Sequence, residues 1–165
     1  MPRLIPIECP LLPPGTYQLR VVARTTSAGG SAYLTVEVPS VTNARVAISG
    51  LVIGQGGQGV DRRTDVAPLS FAPTLSREFV ATSQLRVGFD VWQPGAPEPV
   101  VAVIEVVDAA GRVVERLDRS LAGDGTRRVD AALPLGPLAV GAYALKVTVS
   151  SLSASAATSI GFRVR

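Results

Sequence analysis

Apolar and polar residues alternate with a period of two over much of the chain, the pattern of strands with one face in a core and one in water. Over 84–92, Leu85, Val87, Phe89 and Val91 fall on one face, and Arg86, Gly88 and Asp90 on the other. Similar segments predict strands at 45–53, 112–118, 127–135, 142–150 and 157–165. The segment 100–107 is apolar at nearly every position, as expected of a central strand covered on both faces or by the sheet edge. Asp108-Ala109-Ala110-Gly111 supplies a turn, because Asp caps turns and Gly tolerates positive φ. These seven strands are the number an immunoglobulin-type sandwich requires. No long stretch has helical period. The polar segment 54–83 is too long to be structureless in a compact domain, so a short strand is expected within 77–82 and a mobile loop at 54–68.

The chain repeats itself. Leu12-Pro13-Pro14-Gly15-Thr16-Tyr17-Gln18-Leu19-Arg20-Val21 and Leu138-Ala139-Val140-Gly141-Ala142-Tyr143-Ala144-Leu145-Lys146-Val147 share the pattern L-x-x-G-x-Y-x-L-basic-V at an offset of 126 positions. The match continues without a gap, aligning Leu34, Val36 and Val38 with Ile160, Phe162 and Val164. Each copy predicts two strands joined by a small-residue turn. In Greek-key sandwiches a tyrosine near the start of the penultimate strand sends its hydroxyl back to upstream backbone and fixes the corner between sheets. Tyr17 and Tyr143 fit that role, with Gly15 and Gly141 as the backbone beneath the rings. The segment 1–40 is therefore expected to hold the closing hairpin of a truncated sandwich, and 41–165 a complete immunoglobulin or fibronectin type III-like Greek-key sandwich. A lone ribbon is marginal and its open edges invite pairing, so the hairpin is expected to pair with the complete domain or, as a homodimer, with a second chain.

Composition agrees with this reading: 47% of the 165 residues are apolar but only 5% aromatic, with 16 Gly and 13 Pro. Val-rich runs broken by Gly and Pro favour strands and turns. The net charge of +3 is carried almost wholly by Arg, Lys146 being the only lysine. The nearest approaches to a basic cluster, Arg62-Arg63 and Arg127-Arg128, are read as solvated pairs and lack interleaved aromatics, so a nucleic-acid partner is not expected. No segment reaches the roughly 18 uncharged apolar residues of a membrane helix. The first ten residues hold three prolines and no apolar run of signal-peptide length, so no signal peptide is expected.

Candidate chemistry is sparse. Histidine is absent and Cys9 is the only cysteine, which removes His-dependent nucleophilic catalysis, His-bearing zinc sites and an intrachain disulfide. Gly54-Gln55-Gly56-Gly57-Gln58-Gly59 fits G-x-G-x-x-G. The residues after it lack the helical period needed to meet a pyrophosphate, so it reads as a flexible loop. The carboxylates Asp61, Asp65, Asp108, Asp124 and Asp130 lie in or beside turns, without the D-x-[DN]-x-[DN]-G run of a calcium loop. Neither a cofactor nor a catalytic residue is expected. The most plausible contact surface is Trp92 with the proline-rich loop that holds Pro94 and Pro97. Trp92 lies on the opposite parity from the inward row of its strand, and an aromatic beside a rigid loop can anchor a protein partner or stack on a sugar.

Leu12 to Val38, Ile48 to Ile53, Arg77 to Phe79, Leu85 to Trp92 and Leu133 to Val164 resemble the C-terminal portion of bacterial VWFA-related domain proteins. The resemblance covers most of the chain, and its motifs are structural. It implies an accessory β-sandwich module of an exported multidomain protein, outside the cytoplasm. The von Willebrand factor A domain itself is absent from the chain, which has no D-x-S-x-S run. The expected function is a non-catalytic interaction or spacer module contacting a protein partner, with carbohydrate binding through Trp92 and adjacent loops as the alternative.

Overall fold

The structure is a computed structural model and describes residues 12–41, 44–56, 70–94, 98–123 and 125–165. Among these residues there are strands and no helix. The chain divides into two compact units.

One unit holds β1 (Gly15–Arg24) and β2 (Gly29–Val38), a regular antiparallel hairpin pairing Gly15 with Val38 at one end and Arg24 with Gly29 at the other. Its turn is closed by Thr25, whose N–H donates to the Ala28 carbonyl at 2.7 Å while its Oγ1 accepts from the Ala28 N–H at 2.9 Å. A hydroxyl that bonds to nearby backbone favours such a turn over continued strand.

The other unit, Arg45–Arg165, is an immunoglobulin-like Greek-key sandwich. Its strands are β3 (Ala47–Ile48), β4 (Val52–Gly56), β5 (Glu78–Phe79), β6 (Gln84–Gln93), β7 (Val100–Asp108), β8 (Val113–Leu121), β9 (Gly125–Pro134), β10 (Gly141–Ser150) and β11 (Ser155–Val164). One sheet centres on β6, with β3 and β4 along one edge and β9 along the other. The second sheet runs β5-β11-β10-β7-β8, antiparallel except for the short parallel pairing of β5 with β11. Its edges are the two-residue β5 and the strongly charged β8, and a short or charged edge discourages pairing with another chain.

The core is the inward row of each sheet. Leu85, Val87, Phe89 and Val91 of β6 face Val100, Ala102, Ile104 and Val106 of β7 together with Leu145, Val147 and Val149 of β10, all buried. Each side chain of this size contributes roughly 1.5–3 kcal/mol on full burial. Phe162 of β11 joins the cluster, stacked on the Tyr143 ring at 5.7 Å between centroids and edge-on to Phe79 at 6.1 Å.

Three expectations need correction. The first strand is not continuous over 45–53, because β3 and β4 are separated at Ser49, Gly50 and Leu51. There the Ser49 hydroxyl oxygen replaces a backbone carbonyl as acceptor for the Asp90 N–H, at 2.9 Å, which interrupts the ladder. Residues 54–56 are not loop but the end of β4, held by β6 through Gly54, Gln55 and Gly56 against Arg86, Leu85 and Gln84; residues 57–69 lie outside the described residues. Finally, β7 is buried on one face only. It is central, lying between β10 and β8, but among the described residues nothing packs across Val101, which stays 40% exposed, so its apolar outward residues meet solvent.

The two hairpins are superposable in register. β10 pairs with β11 from Gly141 against Val164 to Ser150 against Ser155, the same pairs as in β1–β2 moved by the sequence offset. The turns match as well, Ser151 taking the part of Thr25: its N–H donates to the Ala154 carbonyl at 2.8 Å and its Oγ accepts from the Ala154 N–H at 3.2 Å. The Tyr17 hydroxyl donates to the Pro13 carbonyl at 2.7 Å, and the Tyr143 hydroxyl donates to the Ala139 carbonyl at 2.8 Å. A Cβ added at Gly15 or Gly141 would touch the following tyrosine ring at 3.6 Å or 3.8 Å, so each ring lies directly over its glycine.

Candidate functional site

Strand parity decides what the end of β6 presents. The inward row continues from Val91 to Gln93, which is buried, while Trp92 points to the outer face and is half-buried. Its backbone pairs with Ala47 of β3 and Thr126 of β9. Both neighbours are small, which leaves room beside the indole. Pro94 comes next, exposed, and lines a cleft of about 190 Å³ with Arg45, Gln93, Glu98 and Ser153. The Ser153 hydroxyl donates to the Glu98 carboxylate at 3.1 Å, tying the β10–β11 turn to the segment that enters β7. A wider cleft of about 420 Å³ opens between the start of β7 and the end of β8, with Glu98 again on its wall. Pro97 lies outside the described residues.

Behind these clefts sits a buried cation. Arg127 is the first inward residue of β9 and only 7% exposed. Its Nη2 donates to Gln93 Oε1 at 2.7 Å and to the Gly123 carbonyl, while Nε and Nη1 have no partner among the described residues. Reading Arg127-Arg128 as a solvated pair is thus corrected for Arg127. Adjacent strand residues face opposite ways, so only Arg128 reaches the surface, where Nε and Nη2 grip the Asp90 carboxylate at 2.7 Å and 2.8 Å. That bidentate pair raises the Arg128 pKa, the hydrogen bonds to Asp90 being the main cause and its charge the next. Sequence reasoning missed Gln93 and Arg127. The signal was present, because both extend apolar inward rows by one polar residue.

The remaining outer face of the β6 sheet is an ion-pair lattice around an apolar patch. Asp130 accepts from Arg86 Nη2 at 2.7 Å and from the Ser70 N–H at 3.1 Å. The Arg86 guanidinium lies 5.6 Å from the centroid of the Phe71 ring. Phe71, 4% exposed, rests on Gly54, where an added Cβ would come within 2.4 Å of Phe71 Cδ2 and 2.5 Å of the Ala72 carbonyl. Gly54 is therefore glycine because a ring occupies the space a side chain would take.

The other candidate carboxylates serve structure. Asp108 Oδ1 accepts from the backbone N–H groups of Ala110 and Arg112, each at 2.9 Å, and Oδ2 from Arg112 Nε at 2.8 Å. The Arg112 backbone and side-chain hydrogen bonds hold its carboxyl below the usual aspartate range. Glu105 pairs with Arg116 and Glu78 with Arg165. Asp61, Asp65, Asp124 and the Arg62-Arg63 pair lie outside the described residues. No group of three or more potential metal ligands occurs among the described residues, and no described helix is long and apolar enough to cross a membrane.

No family model matches the chain. No curated protein matches it either. Among solved structures the chain is similar to a crystal structure of the C-terminal domain of Wzt, with a TM-score of 0.53 and 15% sequence identity, over 73% of this chain and 74% of that one. At that identity the likeness is one of fold, and the β-sandwich is what the two share.

Proposed function

We propose that the protein is a non-catalytic interaction or spacer module of an exported multidomain bacterial protein, resembling the C-terminal sandwiches of VWFA-related domain proteins and contacting a protein partner. The observation that carries this reading is the use made of its acidic side chains. Asp90, Asp108, Asp130, Glu105 and Glu78 are each engaged by an arginine. A carboxylate whose oxygens are already engaged by a guanidinium is poorly placed to reach a substrate proton. The chain also lacks histidine. Tyr17 and Tyr143 are read as tyrosine corners, which the two hydroxyl bonds to backbone four residues upstream support. The contact surface is assigned to the end of the sandwich bearing Trp92 and Pro94. Arg127 lies buried at the same end, its Nε and Nη1 without a hydrogen-bond partner among the described residues. The test is a substrate panel covering glycosides, esters, peptides and phosphoesters. No turnover is expected, and turnover abolished by replacing one carboxylate would contradict the proposal.

A second reading, carbohydrate binding, is favoured by the half-buried indole on the outer face at the end of β6, two residues before the exposed Pro94, since such an aromatic stacks on a sugar ring. On a glycan array the intact protein would then bind and Trp92→Ala would not. Equal binding by both would remove this reading.

A further inference from the structure

The two hairpins share register, turn and tyrosine bond, yet their apolar faces have different fates. In β10–β11 the row Leu145, Val147, Phe162 and Val164 is buried to 4% exposure or less. Positions equivalent by the repeat in β1–β2 are Leu19, Val21, Val36 and Val38. Leu19 and Val21 are 36% and 42% exposed, and Leu34, the counterpart of Ile160, is 60% exposed. Three of these four positions carry the same residue in both rows, and the fourth, Phe162 against Val36, is apolar in both. Solvent gives no reason to keep such a face apolar over ten paired positions, since the outward positions of a free ribbon are ordinarily polar on both sides.

The occupant such a face is built for can be read from the complete unit. There, the β10 edge takes β7 antiparallel, Tyr143 to Ser150 opposite Asp108 to Val101. The apolar face is closed by the inward rows of β6 and β9. β11 takes the short parallel β5 at Arg163 and Val164. Moved by the repeat, these contacts fall on the β1 edge from Tyr17 to Arg24, on the face of Leu19, Val21, Leu34, Val36 and Val38, and on β2 at Glu37 and Val38. We propose that β1–β2 is the closing hairpin of a second sandwich of the same kind, and that its occupant is a run of strands equivalent to β3–β9 entering Leu12 from its N-terminal side. The order of the complete unit sets that direction, because β3–β9 run directly into Leu138, the counterpart of Leu12. This rests on the reading of the chain as a module of a larger multidomain protein. Its test reads folding, so a later finding of turnover would leave it standing.

The test supplies the missing strands from the protein itself. In the full chain, residues 1–11 are replaced by a copy of residues 45–137, so that residue 137 of the copy joins Leu12 as it normally joins Leu138. Amide hydrogen exchange is followed in both hairpins, with β10–β11 as the internal control. The proposal expects exchange at Leu19, Val21, Leu34 and Val36 to slow by at least about 100-fold relative to the parent chain. It also expects a disulfide between Arg20→Cys and Glu105→Cys of the copied segment, the pair equivalent to Lys146 and Glu105. Hairpin amides as fast as in the parent chain, with no disulfide formed, would overturn it. So would a parent chain that already protects these amides, whether as a monomer or as a concentration-dependent dimer, because the face would then have another occupant.

Discussion

At the level of single residues, three side chains carry consequences that can be measured. Removing the Tyr143 hydroxyl with Tyr143→Phe deletes its bond to the Ala139 carbonyl but keeps the ring stacked on Phe162. The expected loss is about 1 kcal/mol in denaturant unfolding, with the midpoint moved and the slope unchanged. Gly54→Ala forces a methyl into the Phe71 ring and the Ala72 carbonyl, and about 1–3 kcal/mol should be lost. Combined with Phe71→Ala the two changes should be clearly less than additive, because the ring is one of the two groups obstructed. Asp108 gives a pH signature. Its carboxyl is held down in the fold mainly by the Arg112 hydrogen bonds, so its stabilisation is present above the ordinary aspartate pKa and is lost as pH falls through the lowered folded value. Amide shifts of Ala110 and Arg112, which report protonation of the carboxylate they donate to, should move with a midpoint below that of an ordinary aspartate. A midpoint at or above the ordinary aspartate value would show that the turn does not hold the carboxyl down.

Among the elements, the clearest contrast lies between two positions of one repeat. Leu145→Ala empties a site that is 0% exposed, whereas Leu19→Ala trims one that is 36% exposed. The first should cost about 2–5 kcal/mol, while the second should cost less, roughly 1–2 kcal/mol, because a good part of Leu19 is still in water and its removal leaves no enclosed cavity. Similar losses at both would mean that Leu19 is covered in solution. Element positions were also where the sequence could be read most directly. Alternation placed β6 and its buried row, Asp108 and Gly111 located the β7–β8 turn, and the segment 77–82 contained β5. The break at Ser49 was not legible, because it depends on a side-chain hydroxyl meeting Asp90, far away in sequence. Nor was Gly54 legible as strand. Its glycine is explained by Phe71, and only the folded sheet brings the two together. Val101 misled for a related reason: an apolar residue on an outward position reads as buried from sequence, and only its 40% exposure shows otherwise. At the candidate site parity placed Trp92 correctly on the outer face. The same rule, applied to Arg127, would have put that charge inside.

As a whole molecule, the protein is an all-β chain whose described residues form an immunoglobulin-like sandwich and a hairpin that shares the register, turn and tyrosine bond of the sandwich's last two strands. Ion pairs engage Asp90, Asp108, Asp118, Asp130, Glu78 and Glu105, and Trp92, Pro94 and, in the interior, Arg127 lie at one end of the sandwich. The duplication is the claim on which the rest depends, because it assigns the role of the tyrosines and explains an apolar face on a hairpin. Cross-strand Hα–Hα contacts, measured by nuclear Overhauser spectroscopy on the intact chain, test it most directly. The same set should appear in both hairpins, with Leu19 opposite Leu34 just as Leu145 is opposite Ile160. A β1–β2 register displaced by one residue from that of β10–β11 would contradict it, since the side chains of one strand would then face the other way and Leu19 and Leu34 would no longer share a face.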